Sequence, residues 1–531
     1  MTNVALARAV LRLARQAGVE DVCVCAGSRN SPLVAVLTSG SPFRLYSFFD
    51  ERSAAFFALG RWKVHGRPVA VVTTSGTAVA ELLPATVEAF YQGAPLLLIT
   101  ADRPASFRET GAPQTIEQVG IFGKYVEHSV DLSTANPVKP FDWKRSSALH
   151  INVAFDEPLI DGSLQDDGTD WGQTGQIQVH ALPQPSIGTI NEFMDAAQRP
   201  LMILGSLPAE ARDETRRFVR RLSVPVYAEA TSGLREDPAI DDLVLRSGER
   251  ILGSAGFDAI LRIGGVPSIR FWRDLDGRFS NIPVLTLSHL RFSGLSRGTH
   301  ITGDLPSMLS SIESIQPMPN VSLLEKDRIQ ATRLDEILDA EPAAEPSQFR
   351  DLSRRIPPNS RIFLGNSLPI REWDLAAQFA GRNFQLIANR GANGIDGELS
   401  TFLGTASADQ ENWAIVGDLT ALYDLSAPWV IGQLDPGTKL RIVVVNNGGG
   451  RIFSRVGDLK RVERGVREVW FENVHNLHFG PWAALWNLPF EHWSSVPDRI
   501  SLPDRVVVEL TPDIISTERF WRRYDELWGG A

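Results

Sequence analysis

The segment Arg441-Ile442-Val443-Val444-Val445-Asn446-Asn447-Gly448-Gly449-Gly450 is a short apolar run that ends abruptly in amides and glycines. An earlier run, Trp413–Val416, ends in a similar way at Gly417-Asp418-Leu419-Thr420. Buried strands of a parallel sheet have this character, because helices cover both faces and polar loops follow the carboxyl ends of the strands. The spacing between Asp418 and Asn447 suits one intervening helix. The two segments therefore predict βα units whose functional loops meet at one edge of a sheet.

The same alternation of short apolar runs with helical stretches recurs through the chain. The other strand-like runs are Val22–Cys25, Val69–Thr73, Leu96–Thr100, Leu201–Leu204, Val224–Tyr227, Ala259–Ile263, Val284–Leu287, Ile362–Leu364 and Val506–Leu510. We therefore predict an α/β protein of three doubly wound parallel-sheet domains. Residues 161–187, rich in Gly, Asp, Gln and Pro, and the acidic residues 334–346 are predicted joints. The predicted domains are 1–175, 188–330 and 347–531.

Composition excludes several classes of protein. The 531 residues include 53 Lys and Arg against 63 Asp and Glu, a formal net charge of −10, which disfavours a nucleic-acid binder. The two cysteines, Cys23 and Cys25, lie two residues apart on one predicted strand, are not expected to bond each other, and indicate a reducing compartment. No run approaches the roughly 18 apolar residues that span a membrane. We read residues 4–14 as the first helix of the fold, not a transit peptide, and predict a cytoplasmic protein.

Asp418, Asn447 and the glycines after Asn447 are candidate ligands of a metal ion. A carboxylate, an amide oxygen and a backbone carbonyl are the hard ligands that Mg²⁺ takes, with water and phosphate oxygens completing its octahedron. Glycines also let a backbone approach a diphosphate. The alternative is that both segments are ordinary turns at strand ends, where Asp, Asn and Gly are favoured anyway.

Glu51 stands at the join between an aromatic strand end, Phe48-Phe49, and a helical stretch almost empty of polar groups. A carboxyl group in apolar surroundings tends to have a raised pKa and can share a proton with a ligand nitrogen. The alternative is an ordinary acid at a helix start, stabilised by the helix dipole.

Several arginines lie in loops that are otherwise made of small residues. They are Arg29, Arg103, Arg270, Arg371 and Arg390. Guanidinium groups bind carboxylates with two parallel hydrogen bonds, so a cluster of them would hold a di- or tricarboxylate. Each one alone could equally be solvated or paired with a surface acid. His475 and His478 have no third nearby ligand for zinc, and Gly264-Gly265 lacks the full dinucleotide motif.

These motifs resemble those of thiamine-diphosphate-dependent enzymes, and most closely the branch that acts in menaquinone biosynthesis. The resemblance rests on residues 26–33, 50–53, 73–78, 100–104, 365–368, 389–397 and 446–453, in that order along both outer domains. It implies a pyrimidine-binding domain at 1–175, a central domain without flavin at 188–330, and a diphosphate- and metal-binding domain at 347–531.

The resemblance also implies a role for particular residues. Glu51 would be the catalytic acid that bonds the aminopyrimidine ring, and Asp418, Asn447 and Gly449 would hold Mg²⁺ or Mn²⁺ on the diphosphate. The remaining implied cofactor contacts are Thr77, Ser367, Ile395, Leu419, Thr420 and Ile452. The implied substrate contacts are Ser28, Arg29, Arg103, Gln114, Arg270, Ser367, Arg371, Arg390, Phe453 and Val456.

The implied activity is that of a transferase that decarboxylates 2-oxoglutarate and adds the succinyl carbanion equivalent to isochorismate. The family further implies a homodimer or homotetramer with active sites between subunits, and no nucleic-acid or membrane partner. Two alternatives remain open at this point: another thiamine-dependent 2-oxoacid decarboxylase or acetohydroxyacid synthase, and a catalytically inactive binding protein on the same fold.

Overall fold

The computed structural model describes residues 1–137, 143–164, 171, 187–254, 256–312, 316 and 319–529. Within these ranges, strands and helices alternate along the chain. The strands are β1 (Asp21–Cys25), β2 (Arg44–Phe48), β3 (Val69–Thr73), β4 (Leu96–Asp102), β5 (Val126–Leu132), β6 (Ala148–Ala154), β7 (Pro200–Leu204), β8 (Val226–Ala228), β9 (Ala259–Ile263), β10 (Val284–Ser288), β11 (Thr299–Thr302), β12 (Arg361–Leu364), β13 (Gln385–Ile387), β14 (Glu411–Gly417), β15 (Lys439–Val445), β16 (Phe490–Trp493) and β17 (Arg505–Leu510).

The α-helices occupy most of the connections. They are α1 (Asn3–Gln16), α2 (Ser31–Thr38), α3 (Glu51–His65), α4 (Thr77–Ala80), α5 (Leu83–Gln92), α6 (Ile187–Ala196), α7 (Arg212–Leu222), α8 (Arg270–Asp274), α9 (Leu305–Ser310), α10 (Val321–Ala340), α11 (Glu345–Arg355), α12 (Leu368–Ala376), α13 (Glu398–Thr405), α14 (Asp418–Tyr423), α15 (Arg464–Trp470), α16 (Gly480–Leu485) and α17 (Ile514–Glu526). Short 3₁₀ helices lie at Ala105–Phe107, Gly123–Tyr125, Ala209–Ala211, Ala230–Ser232, Glu249–Ser254, Ala427–Gln433, Arg451–Arg455 and Gly457–Arg461.

The strands form three parallel sheets. Their orders are β2-β1-β3-β4-β6-β5, β11-β10-β9-β7-β8 and β13-β12-β14-β15-β17-β16. In the third sheet Gly417 pairs with Val445, so the loops that begin at Asp418 and Asn446 leave the same edge of the sheet. The predicted α/β class with three parallel sheets is confirmed. No helix in the described part of the chain is long and apolar enough to cross a membrane.

The contacts divide the chain into two compact units. One comprises Met1–His180, Gly391–Ala406 and Leu422–Pro436 and contains the first sheet. Its α3 is buried along Ser53–Arg61 and packs against α13. A Cβ on Gly60 would lie 2.1 Å from the carbonyl oxygen of Thr401, so the close approach of these two helices requires glycine.

The other unit comprises Ala181–Arg390, Ser407–Ala421 and Gly437–Ala531 and contains the second and third sheets. The second sheet lies within the predicted central domain, and the third within 347–531. Gly205 and Gly264-Gly265 lie at the carboxyl ends of β7 and β9, where a dinucleotide loop would stand. A Cβ on Gly205 would be 2.1 Å from the carbonyl oxygen of Gly265, so the two loops pack directly against each other.

The joint predicted at residues 334–346 is mostly helical. Helix α10 runs through it to Ala340 and α11 starts at Glu345, so only four residues connect the two helices. Acidic and alanine-rich sequence favours helix, and Leu334 and Leu338 are buried beside Phe520 and Tyr524. The domain end predicted at residue 330 therefore falls inside a helix. Most of the joint predicted at 161–187, including the predicted domain end at 175, lies outside the described residues. The three-domain division remains a prediction.

Several strands escaped the sequence analysis. Of β2, an edge strand of mixed burial, only the end at Phe48 was predicted, and β6 was missed: it is fully buried although it contains His150 and Asn152. Neither pattern is a short apolar run. Cys23 and Cys25 are both buried and free, as their positions on one strand predict.

Candidate active site

The loops after β14 and β15 meet at Asp418 and Gly449. Asp418 is the first residue of α14, and its carboxylate accepts from the N–H of Leu419 at 2.7 Å and of Gly449 at 2.8 Å. Gly449 has a φ of +129°, and a Cβ there would lie 2.5 Å from the carbonyl oxygen of Glu472. The turn therefore requires glycine. Burial raises the pKa of Asp418, while the Gly449 N–H and the neighbouring His475 oppose that rise.

Asn447 presents an amide oxygen at the same corner. Its Nδ2 donates to both carboxylate oxygens of Glu345, at 3.1 and 3.0 Å, whereas its Oδ1 is buried and has no hydrogen-bond partner among the described residues. A buried polar atom without a partner is costly unless something else binds it. The Asp418 carboxylate, this amide oxygen and the Gly449 carbonyl, which also accepts from the Arg451 N–H at 2.8 Å, are oxygen donors of the kind that Mg²⁺ or Mn²⁺ takes.

The two histidines of the H-x-x-H pattern face different carboxylates. His475 Nε2 lies 3.4 Å from Asp418 Oδ2, and His478 Nδ1 lies 3.3 Å from Glu509 Oε1. His475 therefore lies beside Asp418, a position that its sequence neighbours do not indicate.

Asp50 and Glu51 begin α3, and their surroundings separate the pKa values of the two carboxyl groups. Asp50 caps the helix: it accepts from the Ser53 N–H at 3.1 Å and from the Ser426 hydroxyl at 2.5 Å. These hydrogen bonds outweigh the effect of burial and lower the pKa of Asp50. Desolvation raises the pKa of Glu51, and repulsion by Asp50 adds to it. Such a divided pair is typical of acid–base sites, and Glu51 is the member suited to hold a proton.

The first loops of this unit carry Ser28, Arg29 and Thr77. Ser28 and Thr77 are exposed, whereas Arg29 is buried. Arg29 donates to the carbonyl oxygen of Phe155 at 3.0 Å and pairs with Glu157 at 3.3 Å, so its guanidinium is already engaged.

Arg103 and Gln114 lie on one loop of the same unit. Arg103 donates to the carbonyl oxygen of Pro113 at 3.3 Å, next to Gln114. Gln114 is exposed, with a φ of +57°, and its backbone lies beside Gly76. The structure therefore brings Gln114 close to the loop that starts α4.

Arg371 and Arg390 come together after β12 and β13. Arg390 Nη1 donates to Asn366 Oδ1 at 2.5 Å, and its Nε is buried without a partner among the described residues. Desolvation and repulsion by Arg390 lower the pKa of Arg371, whose Nη1 donates to the Ser367 carbonyl oxygen at 2.6 Å. Ser367 has a φ of +69°. This corner has an unused guanidinium donor beside a second arginine, which suits a carboxylate ligand.

Arg270 starts α8, with about half of its side chain exposed, and its N–H donates to Glu249 Oε2 at 2.7 Å. The charge of Arg371 also acts on Glu249, whereas the Arg270 guanidinium lies 3.6 Å from Asp274. The other predicted contacts differ in burial. Thr420 is buried, Leu419, Ile395, Ile452 and Val456 are half-buried, and Phe453 is 37% exposed.

Four further residues shape these corners through contacts distant in the chain and were not predicted from the sequence. They are Glu345, which binds Asn447; Glu249, beside Arg270; Asn366, beside Arg390; and Gln118, beside Gly76. Asn30 could have been predicted, because it follows the loop glycine Gly27. Its Oδ1 accepts from the Gly27 N–H at 2.8 Å. The assigned roles of all these residues remain predictions.

Comparison with known proteins gives the family. Residues 4–121 match the family described as thiamine pyrophosphate enzyme, N-terminal TPP binding domain. The chain is 43% identical to the 2-succinyl-5-enolpyruvyl-6-hydroxy-3-cyclohexene-1-carboxylate synthase of Bdellovibrio bacteriovorus over 99% of this chain and 100% of that protein. The synthase of the same name from Akkermansia muciniphila is 37% identical over 94% of this chain and 95% of its own. That of Geobacillus kaustophilus is 33% identical over 87% and 86%.

These relatives are covered along most of their lengths, and the matched N-terminal family binds thiamine diphosphate. The predicted membership of the thiamine-diphosphate-dependent enzymes is confirmed, and the protein is a transferase of menaquinone biosynthesis. The chain belongs to the family of 2-succinyl-5-enolpyruvyl-6-hydroxy-3-cyclohexene-1-carboxylate synthases.

Proposed function

We propose that this enzyme decarboxylates 2-oxoglutarate and adds the resulting succinyl unit to isochorismate by conjugate addition. The products are CO₂ and 2-succinyl-5-enolpyruvyl-6-hydroxy-3-cyclohexene-1-carboxylate. The observation that carries the proposal is the 43% identity to a synthase of that name along 99% of the chain. The chemistry of the arginine loops supports it, because both substrates are carboxylates and Arg390 has a buried, unused donor.

The oxygen donors of Asp418, Asn447 and Gly449 support binding of the cofactor's diphosphate through Mg²⁺ or Mn²⁺. Asp418, the Asn447 amide oxygen and the Gly449 carbonyl would hold the ion, and Leu419, Thr420 and Ile452 would line the bound diphosphate and thiazolium. Thiamine diphosphate, when bound, supplies the electron sink for loss of CO₂ and formation of the new carbon–carbon bond. The protein supplies orientation, charge and exclusion of water.

Glu51 is the proposed catalytic acid. Its raised pKa favours a shared proton, and a carboxyl group in that state can bond the ring nitrogen of the aminopyrimidine. The pKa of Asp50 is lowered, so its carboxylate stays ionised. Asp50 also fixes the start of α3 through its hydrogen bonds with Ser53 and Ser426. Ile395 would support the bent conformation of the cofactor, and Thr77 and Ser367 would contact it.

The substrates would be held by two groups of residues. Ser28, Arg29, Arg103 and Gln114 come from the pyrimidine-binding domain, 1–175. Arg270 comes from the central domain, 188–330, and Ser367, Arg371 and Arg390 come from the diphosphate-binding domain, 347–531. Phe453 and Val456 would form an apolar wall beside the reacting carbons.

We also propose a cytoplasmic homodimer or homotetramer with active sites between subunits. Four large apolar side chains near the start of α3 are exposed: Phe49, Tyr423, Leu425 and Trp429. The rings of Phe49 and Trp429 pack edge to face with centroids 5.0 Å apart. Exposed apolar clusters of this kind usually mark an interface, and a second copy of the chain would cover this one. Two buried free cysteines support a reducing compartment.

A coupled assay tests the proposal. The purified enzyme is incubated with 2-oxoglutarate, thiamine diphosphate and Mg²⁺, with and without isochorismate, and products are identified by mass spectrometry. We expect isochorismate to be consumed in step with CO₂ release. If the release of CO₂ does not depend on isochorismate, the enzyme is instead a simple 2-oxoacid decarboxylase. Calorimetry without any Mg²⁺-dependent cofactor binding would indicate a binding protein on this fold.

A further inference from the structure

Glu345 fixes the orientation of the Asn447 amide. Both carboxylate oxygens of Glu345 accept from the same Nδ2, at 3.1 and 3.0 Å. An ionised carboxylate only accepts hydrogen bonds, so it can face the NH₂ end of an amide but not the carbonyl end. Rotation of the Asn447 amide by half a turn would place its oxygen against two carboxylate oxygens. Glu345 therefore selects one of the two amide orientations.

The selected orientation leaves the amide oxygen of Asn447 free for a ligand. Oδ1 is buried and has no hydrogen-bond partner within the described residues. The Asp418 carboxylate accepts from the N–H of Gly449, two residues after Asn447. The backbone of Asn447 is also held, because Arg451 Nε donates to its carbonyl oxygen at 3.1 Å. Both the backbone and the side-chain amide of Asn447 are thus oriented before any metal binds.

Glu345 is itself held firmly. It is 2% exposed and lies in the first turn of α11, where its N–H donates to Thr517 Oγ1 at 2.9 Å. Burial raises the pKa of Glu345 to about 7, and the hydrogen bond from Asn447 opposes that rise, so this bond favours the ionised carboxylate. The carboxylate therefore sits on a rigid element and not on a mobile loop, as a positioning residue requires.

We propose that Glu345 is a positioning residue for the metal site: it holds the Asn447 amide so that Oδ1 faces the divalent cation. This inference rests on the proposed metal site of Asp418, Asn447 and Gly449. Replacing a residue that is hydrogen-bonded to a metal ligand commonly weakens metal binding by about 10- to 100-fold. Glu345 does not touch the cation, so its effect acts through Asn447.

Binding of Mn²⁺ in the presence of thiamine diphosphate tests the proposal without any turnover. The fraction of bound Mn²⁺ is measured by electron paramagnetic resonance for the wild type, for Glu345→Gln and for Glu341→Gln. Glu341 is a matched control, because it pairs with Arg519 at 2.8 Å and not with Asn447. In Glu345→Gln the introduced amide can face either end of the Asn447 amide. We expect its Kd for Mn²⁺ to rise about tenfold, and that of the control to stay within about twofold of the wild type.

A reversed pair separates positioning from a loss of structure. In Asn447→Asp alone, the introduced carboxylate faces Glu345 and the two repel. In the double variant Glu345→Gln with Asn447→Asp, the introduced amide donates to the introduced carboxylate and turns its other oxygen to the cation. If the two substitutions acted independently, the Kd of the double variant would follow from the two single effects added as free energies. We expect the double variant to bind Mn²⁺ at least about fivefold more tightly than that. If Glu345→Gln does not accumulate folded, Glu345→Asp takes its place, with the same expected rise in Kd.

Two results would count against these ideas, and they differ. A wild-type protein that binds no Mn²⁺ with thiamine diphosphate would refute the proposed metal site, and the role of Glu345 would fall with it. A wild type that binds Mn²⁺, together with Glu345 variants whose Kd is unchanged, would refute the positioning role alone.

Discussion

Gln118 joins the Gly76 loop to the end of the first sheet. The N–H of Gly76 donates to Gln118 Oε1 at 3.2 Å, while Gln118 Nε2 donates to the Ala101 carbonyl at 2.9 Å and to Asn152 Oδ1 at 2.7 Å. Gln118 is 1% exposed. One buried side chain therefore connects the loop after β3 with the ends of β4 and β6. The predicted cofactor contact Thr77 and the predicted substrate contacts Arg103 and Gln114 lie on the segments it connects.

Replacing Gln118 with Leu is expected to weaken substrate binding more than the chemical step. The change leaves the buried Gly76 N–H without this partner, at a cost of about 1–3 kcal/mol, whereas Asn152 Oδ1 still accepts from the Thr100 hydroxyl at 3.1 Å. We expect a lower melting temperature and a raised KM for 2-oxoglutarate or isochorismate with a smaller change in kcat. Steady-state kinetics measures this, with the exposed Gln16→Leu as control. An unchanged KM would show that the Gly76 loop does not depend on Gln118.

Glu51→Gln is expected to abolish turnover while largely sparing binding of the metal and diphosphate. The change keeps the size of the side chain but removes the carboxyl group whose proton the mechanism uses. Product formation by mass spectrometry and cofactor binding by calorimetry measure the two effects separately. A Glu51→Gln enzyme with a near wild-type rate would show that the acid has been misassigned.

Gly449→Ala is expected to weaken metal and cofactor binding. The added methyl would lie 2.5 Å from the Glu472 carbonyl oxygen at a φ of +129°, so the loop must move and the N–H bond to Asp418 is lost. We expect at least a tenfold rise in the Kd for thiamine diphosphate with Mg²⁺, on the order of the 1.4 kcal/mol that a factor of ten represents. Gly432→Ala is the control, because nothing lies within 4 Å of its Cβ position. Equal affinities for the two variants would contradict this account of the turn.

Arg390→Lys is expected to raise KM for a carboxylate substrate although the positive charge remains. Lysine lacks the planar fork, so the buried Nε donor and the bond to Asn366 are both lost. We expect a rise of about tenfold, comparable to the loss of one charge-assisted hydrogen bond. Separate titrations of 2-oxoglutarate and isochorismate identify which substrate Arg390 binds. Unchanged KM values for both would remove Arg390 from the site.

His150 is expected to make the first unit sensitive to acid. Its ring lies between the Thr100 hydroxyl, 2.8 Å from Nε2, and the Ser129 hydroxyl, 3.0 Å from Nδ1, and burial lowers its pKa to about 4. The unfolded chain takes up this proton near pH 6.5 and the folded chain only near pH 4, so stability is full above pH 6.5 and falls between these values. The loss amounts to roughly 3 kcal/mol.

Urea unfolding followed by tryptophan fluorescence between pH 7 and pH 4 measures this effect. The non-titrating His150→Gln variant should be less stable at pH 7 but should lose less of its stability on acidification. Parallel pH profiles for the two proteins would assign the acid sensitivity to other groups.

The parts of this protein that could be predicted were those that depend on residues adjacent in the sequence. The strands β3 and β9 were predicted with their observed bounds, because an uninterrupted apolar run is a property of adjacent side chains. The strand β6 was missed because His150 and Asn152 lie in it, and their partners Thr100 and Gln118 come from other segments. The helical character of residues 334–340 was missed because the buried face of α10 there packs on α17, which is distant in the chain.

By itself, the sequence determined the parallel α/β class, the family and the loops that carry Glu51, Asp418 and Asn447. Each of these depends on a short pattern, since strand ends, turns and helix starts are set by local backbone preferences. Only the tertiary structure decided that Glu345 faces Asn447, 102 residues away, that Arg29 is already paired with Glu157, and that His475 lies beside Asp418. Contacts of this kind depend on the path of the whole chain. Residue type and spacing do not specify which buried donor meets which acceptor until the sheets are packed.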